Sequence, residues 1–179
     1  MTSPSTRERL YRALYGVRAA LEEVMLQGPR AQFQPLLVCD NEASAAPSAM
    51  VRGVTIHSGD ILVSRGGAAT SALIARGNDF PGNFSHIALV HVDEQTRNVS
   101  VIEAHIESGV GVRSIAAYLE ETKLRVMLLR PRSTLPALVA DPMLPHKAAS
   151  LALSNALSRH IAYDFAMDYA DPGKQFCSE

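Results

Sequence analysis

Three residues of this 179-residue chain have types and settings suited to acid–base and nucleophilic chemistry: His86, Glu103 and Cys177. His86 opens the apolar run Ser85-His86-Ile87-Ala88-Leu89-Val90. Strand side chains alternate faces, so His86, Ala88 and Val90 share one face, and Ile87, Leu89 and His91 the other. Both faces are largely apolar, as in a central strand. A histidine at its mouth is either a satisfied core residue or a base beside a pocket, and taken alone it reads as the former. Glu103 interrupts the apolar run Val101-Ile102-Glu103-Ala104-His105. A carboxylate there is costly unless it is paired. His105, two residues on, shares its face. A Glu beside a His on a neighbouring strand fixes an imidazole tautomer and stabilises its protonated form.

Cys177 follows the polar, turn-rich stretch from Asp168 to Lys174. A helix starting there would lower its thiol pKa through the N-terminal dipole, and a nearby His would complete the activation. Cys39, in Leu36-Leu37-Val38-Cys39, reads as a core residue. The residue types of a Cys–His–acid hydrolase are thus present in the chain order His, Glu, Cys. A zinc site is the competing reading, with His86, Glu103 and His105 as ligands and Cys177 as a fourth. No HExxH or CxxC spacing supports it, so no metal and no cofactor are expected.

These residues need elements to hold them. Ser5-Thr6-Arg7-Glu8 fits a capping box. Leu10, Leu14, Val17, Leu21 and Val24 follow at helical spacing up to Gly28-Pro29. The expected fate of this apolar stripe is packing on the domain. Residues 41–50 are small and polar and read as a linker or long loop. Short β-like runs follow at 61–63, 87–92, 99–104, 109–112 and 124–129, close enough for a mostly antiparallel sheet. Helical pieces are expected at 70–76, 114–122 and 146–160, and the proline-rich 131–145 reads as a loop. The class is α+β: an antiparallel sheet packed with helices, plus an N-terminal amphipathic helix.

Three motifs together resemble the circularly permuted papain-like amidases of the YaeF/YiiX type, relatives of NlpC-type peptidases. They are Gly59-Asp60-Ile61-Leu62-Val63, Ser85-His86-Ile87-Ala88-Leu89-Val90, and Tyr163-Asp164-Phe165 through Phe176-Cys177-Ser178-Glu179. Val101-Ile102-Glu103-Ala104 matches the strand that supplies the acidic partner. The likeness covers roughly 55–179. It implies Cys177 as nucleophile, His86 as base and Glu103 as the residue that orients His86. It also implies a site wall that includes Gly59 and Asp60, with Ser85, His105 and Tyr163 as further pocket candidates. In that family the nucleophile opens a long helix. This sequence ends at Glu179, so a domain cut at the first turn of that helix is the expectation.

The organisation expected is a helix and linker over 1–50 and a permuted papain-like hydrolase domain over 51–179. The function expected is hydrolysis of an amide bond through a thioester, in a peptide or amino-acid amide, with cell-wall fragments among the candidate substrates. A lipid-directed esterase or acyltransferase, or an inactive binding module, are the alternatives. Lys+Arg is 17 and Asp+Glu is 18, so no basic field exists to hold nucleic acid, and a nucleic-acid partner is not expected. Two cysteines are too few for a disulfide scaffold. No signal-peptide pattern and no apolar run of membrane-spanning length occurs, so a cytoplasmic location is the default. A membrane surface is not indicated as a partner, and oligomeric state is not legible.

Overall fold

A computed structural model describes residues 3–28, 41–76, 84–166 and 174–175. Helix α1 spans Pro4–Gln27. It starts earlier than the capping box suggests. Ser3 Oγ accepts the Thr6 N–H at 3.2 Å, and Pro4 takes the first helical position, where a missing N–H costs nothing. Leu10, Leu14, Val17, Leu21 and Val24 do form one stripe, but they are 55–70% exposed. The expectation that this stripe packs on the domain is therefore corrected. Helical spacing specifies a face but not the surface that covers it. No helix among the described residues is long and apolar enough to cross a membrane.

A second correction concerns residues 41–50. Ser48–Val51 is strand β1, paired antiparallel with β2, Val54–His57. β1 thus straddles the boundary expected at residue 50. Arg52 (φ 48°) and Gly53 (φ 83°) join the strands, a two-residue turn with positive φ at both positions that suits strand twist. Ser-Ala-Met lacks the apolar alternation that would announce a strand, and Arg-Gly is a weak turn signal. Upstream, Asn41 and Glu42 are tied to Arg130, whose guanidinium donates to Asn41 Oδ1 (2.9 Å) and to the Glu42 carbonyl (2.6 Å).

The main sheet has five antiparallel strands: β3 (Ile61–Gly66), β4 (His86–Val92), β5 (Val99–His105), β6 (Gly109–Ser114) and β7 (Lys123–Leu129). Their order is β6-β5-β4-β3-β7. α2 (Ala69–Arg76) follows β3. α3 (Ile115–Glu120) lies between β6 and β7, which occupy opposite edges. Ser114 caps α3 by accepting the Ala117 N–H at 3.1 Å. One sheet face carries Leu62, Ala88, Val90, Val92 and Val101, packed with Ile56 and the fully buried Tyr118 of α3. Each Val, Leu or Ile side chain among them contributes roughly 1.5–3 kcal/mol by leaving water.

The other face is covered by α5 (Leu144–Ser158), which packs on β4, β5 and β6. His146 of α5 places Nδ1 2.8 Å from Ser58 Oγ and stacks on His91 with centroids 5.4 Å apart. Gly59 has φ +90°, and a Cβ there would stand 2.3 Å from Pro145 Cβ. The turn into β3 and the start of α5 therefore meet where only glycine fits. The loop expected over 131–145 contains a short helix, α4 (Pro136–Ala140), started by Pro136. Prolines that break a helix interior also begin helices, and this region uses them so. Ala162–Tyr163 (β8) pairs in parallel with Lys174–Gln175 (β9). Among the described residues the fold is thus mixed α+β, with five helices and an antiparallel sheet.

Candidate functional site

Register brings the polar residues together. Ala88 of β4 faces Glu103 of β5, so His86, two residues back, falls diagonal to Glu103 and beside His105. Glu103 Oε2 lies 2.6 Å from His86 Nε2, and Oε1 lies 3.0 Å from His105 Nε2. The two imidazole centroids are 5.5 Å apart. Arg113 of β6 faces Val101, which makes it the diagonal neighbour of Glu103 on the other side. Its Nε stands 3.2 Å from Glu103 Oε1. The Glu103 side chain is fully buried, while His86 and His105 keep 16% and 23% exposure.

Three nitrogens therefore converge on one carboxylate. Burial pushes the Glu103 carboxyl upward, but the hydrogen bonds and charges of His105 and His86 outweigh it and hold the group at about 2. Glu103 is an anion at any ordinary pH. With Nε2 turned to that anion, His86 carries its proton on Nε2, and Nδ1 is the basic ring nitrogen. The charge chain continues outward. Arg113 also bonds Glu121, and Glu121 Oε2 accepts from Lys123 Nζ at 2.6 Å. Lys123 in turn sits 4.5 Å over the ring of Tyr118. Burial would raise the Glu121 carboxyl, but Lys123 and Arg113 keep it lowered.

The cluster opens on a cleft of about 510 Å³. His86 and His105 line it with Ser85 and Tyr163. Ser64, Gly66, Thr70 and Ser71 come from β3 and the start of α2, and Glu107, Glu121 and Lys123 add charge. The buried Arg65 braces two of the lining residues, its guanidinium donating to the Gly66 carbonyl and lying 3.5 Å from that of Ala68.

The structure thus groups His86, Glu103, His105, Ser85 and Tyr163. It does not bring Gly59 and Asp60 to this cleft. They precede β3 at its far end, and the physical reason is a second partner. Asp60 forms a buried two-point bridge with Arg130, Nε to Oδ1 and Nη2 to Oδ2 at 2.8 Å each, and also accepts the His57 N–H at 2.7 Å. With its oxygens so engaged, Asp60 is a structural tie. Cys177 and Cys39 lie outside the described residues. Arg113 is the site residue that sequence reasoning missed. The chain around it, Gly109-Val110-Gly111-Val112-Arg113, gives its face but not its register against β5.

Among the described residues, His86, Glu103 and His105 also form a group of donors able to hold a metal ion, with ligand atoms all within 4.8 Å of one another. No linear motif announces it, because the donors come from two adjacent strands. Compared with family models, with curated proteins and with solved structures, the chain finds no match in any of the three.

Proposed function

We propose that the chain is a cysteine-dependent amide hydrolase of the permuted papain-like kind. The observation that carries this reading is the buried, ionised Glu103 holding His86 at 2.6 Å on the wall of an open cleft. That is a base with its orienting acid, and it needs a nucleophile. Cys177 is the candidate. β9 pairs Gln175 with Tyr163, a residue that lines the cleft. Cys177 is the second residue after Gln175, a reach of at most about 7 Å along the chain.

In the mechanism the Cys177 thiol gives its proton to His86 Nδ1 and its sulfur bonds to the amide carbon. The resulting imidazolium is stabilised by Glu103. His86 then protonates the leaving nitrogen, the C–N bond breaks, and a thioester remains. Water attacks the thioester carbon, its proton passes through His86 to the departing sulfur, and the acid is released with Cys177 restored. The cleft bears hydroxyls at Ser64, Thr70 and Ser71 and charges at Glu107, Glu121 and Lys123. This lining favours a polar amide, such as a peptide or an amino-acid amide, over an acyl chain. One observation favours a lipid-directed esterase instead: the exposed apolar stripe of α1, which suits a membrane surface.

The test is turnover of alanine p-nitroanilide and of p-nitrophenyl acetate, with phospholipid vesicles as a separate arm. Cys177→Ala and His86→Ala should each lower the rate by about 10²-fold or more, and iodoacetamide should abolish it. An unchanged rate in Cys177→Ala refutes the reading. Turnover confined to vesicles selects the lipid alternative.

A further inference from the structure

We infer that His86, Glu103 and His105 form a binding site for a divalent transition metal, zinc foremost, and that the seated ion silences the base. The donor types are right: two imidazoles and a carboxylate make an open three-ligand zinc site, with the fourth position left to water. The geometry is close. Both Nε2 atoms already stand beside one carboxylate, at 2.6 and 3.0 Å. Donors around tetrahedral zinc stand about 2.0–2.2 Å from the ion, hence roughly 3.4 Å from each other. The two imidazole–carboxylate gaps need open by less than about an ångström, and all three donor atoms already lie within 4.8 Å of one another. The donors adjoin solvent, since both imidazoles line the cleft and are partly exposed, while His105 Nε2 and Glu103 Oε1 themselves are buried behind them.

Arg113 opposes the ion. Its Nε stands 3.2 Å from Glu103 Oε1 and places a positive charge beside the metal position. The same guanidinium is bonded to Glu121, which gives it an anion to retreat to. Arg113 and the metal therefore compete for one oxygen, and that competition tunes affinity.

Occupancy has a chemical consequence. A metal on Nε2 requires each neutral imidazole to carry its proton on Nδ1, so the proton moves from Nε2 to Nδ1 through water. His86 Nδ1 then has no lone pair for a thiol proton. This second half, inhibition, rests on the thiol mechanism proposed above, whereas binding rests on the three side chains alone.

The experiment uses the full chain with Cys39→Ser and Cys177→Ser, or with both thiols alkylated, so that no sulfur ligand contributes. Zinc chloride is titrated by calorimetry, and cobalt chloride by visible absorbance. The expected result is one ion per chain. His105→Ala should weaken binding about tenfold or more. Arg113→Gln, at a residue of the edge strand β6, should tighten it by about tenfold through loss of the repelling charge. Circular dichroism checks that each variant is folded. Absence of saturable binding overturns the inference, and so does an affinity that neither His86→Ala nor His105→Ala changes. If zinc binds as expected but the native chain shows no iodoacetamide-sensitive turnover, the thiol reading falls and the metal site stands. If turnover is present and zinc neither binds nor inhibits, the metal site falls alone.

Discussion

Replacing Glu103 by glutamine keeps the side chain's shape and removes its charge. The folded carboxyl sits at about 2, against about 4.3 for an ordinary glutamate. That gap of roughly 2 units corresponds to about 3 kcal/mol of stability at neutral pH. The folded value lies below the unfolded one, so this stabilisation is fully present above about pH 5 and disappears as pH falls through 4 towards 2. Glu103→Gln should therefore cost about 3 kcal/mol at pH 7, or roughly 6–12 °C in Tm for a chain of this size. The difference from the native chain should shrink on acidification and vanish near pH 2. The glutamine amide adds a local conflict, since its NH2 group faces nitrogens that already act as donors. The chain has no tryptophan, so urea unfolding is best followed by far-ultraviolet circular dichroism at pH 7, 5, 4 and 3. An equal urea midpoint at pH 7, together with the same acid dependence in both proteins, would refute the idea that His86, His105 and Arg113 hold an ionised carboxylate.

Other changes test the frame around the site. Arg130→Met leaves Asp60 charged and buried and should cost about 3–5 kcal/mol in urea unfolding, while Asp60→Leu with Arg130→Met should recover part of it. Because this bridge lies away from the cleft, turnover per folded molecule should be retained in the double variant. Gly59→Ala meets both a φ of +90° and the Pro145 side chain, so thermal melts should show a loss greater than the ~1 kcal/mol of an ordinary glycine replacement. Burial, then the neighbouring His146 charge, lowers the His91 pKa, with Asp93 acting the other way. The native state thus resists a proton that the unfolded chain accepts, and stability should decline as pH falls below about 6.5. His91→Leu should flatten that decline in melts recorded between pH 5 and 7.

The main sheet was legible because its strands announce themselves. Each has a short stretch rich in apolar residues with glycine or polar punctuation, and the expected strands 61–63, 87–92, 99–104, 109–112 and 124–129 all fall within observed ones. The β1–β2 hairpin was not legible, because small residues and an Arg-Gly turn carry little pattern. Within the site, the pairing of Glu103 with a strand histidine follows from the cost of burying a charge, a local argument. The choice of Arg113 as a further partner depends on cross-strand register, which a single sequence does not fix. Asp60 shows the opposite limit. A Gly-Asp entry looks the same whether its carboxylate faces a substrate or an arginine seventy residues away. The α1 stripe marks a third limit, since spacing reveals an apolar face without naming its cover.

Register also makes the site a form of proofreading. Glu103 sits between Ile102 and Ala104, both buried on the α5 side of the sheet. A slip of β5 by one residue would send Glu103 and His105 under α5 and Ile102 towards His86. The misaligned chain would then bury the carboxylate away from two of its three partners and leave His86 and Arg113 without their anion. Misassembled molecules would accordingly be unstable rather than stable and inactive, and a cell's proteases would remove them before they accumulated as a folded but idle population.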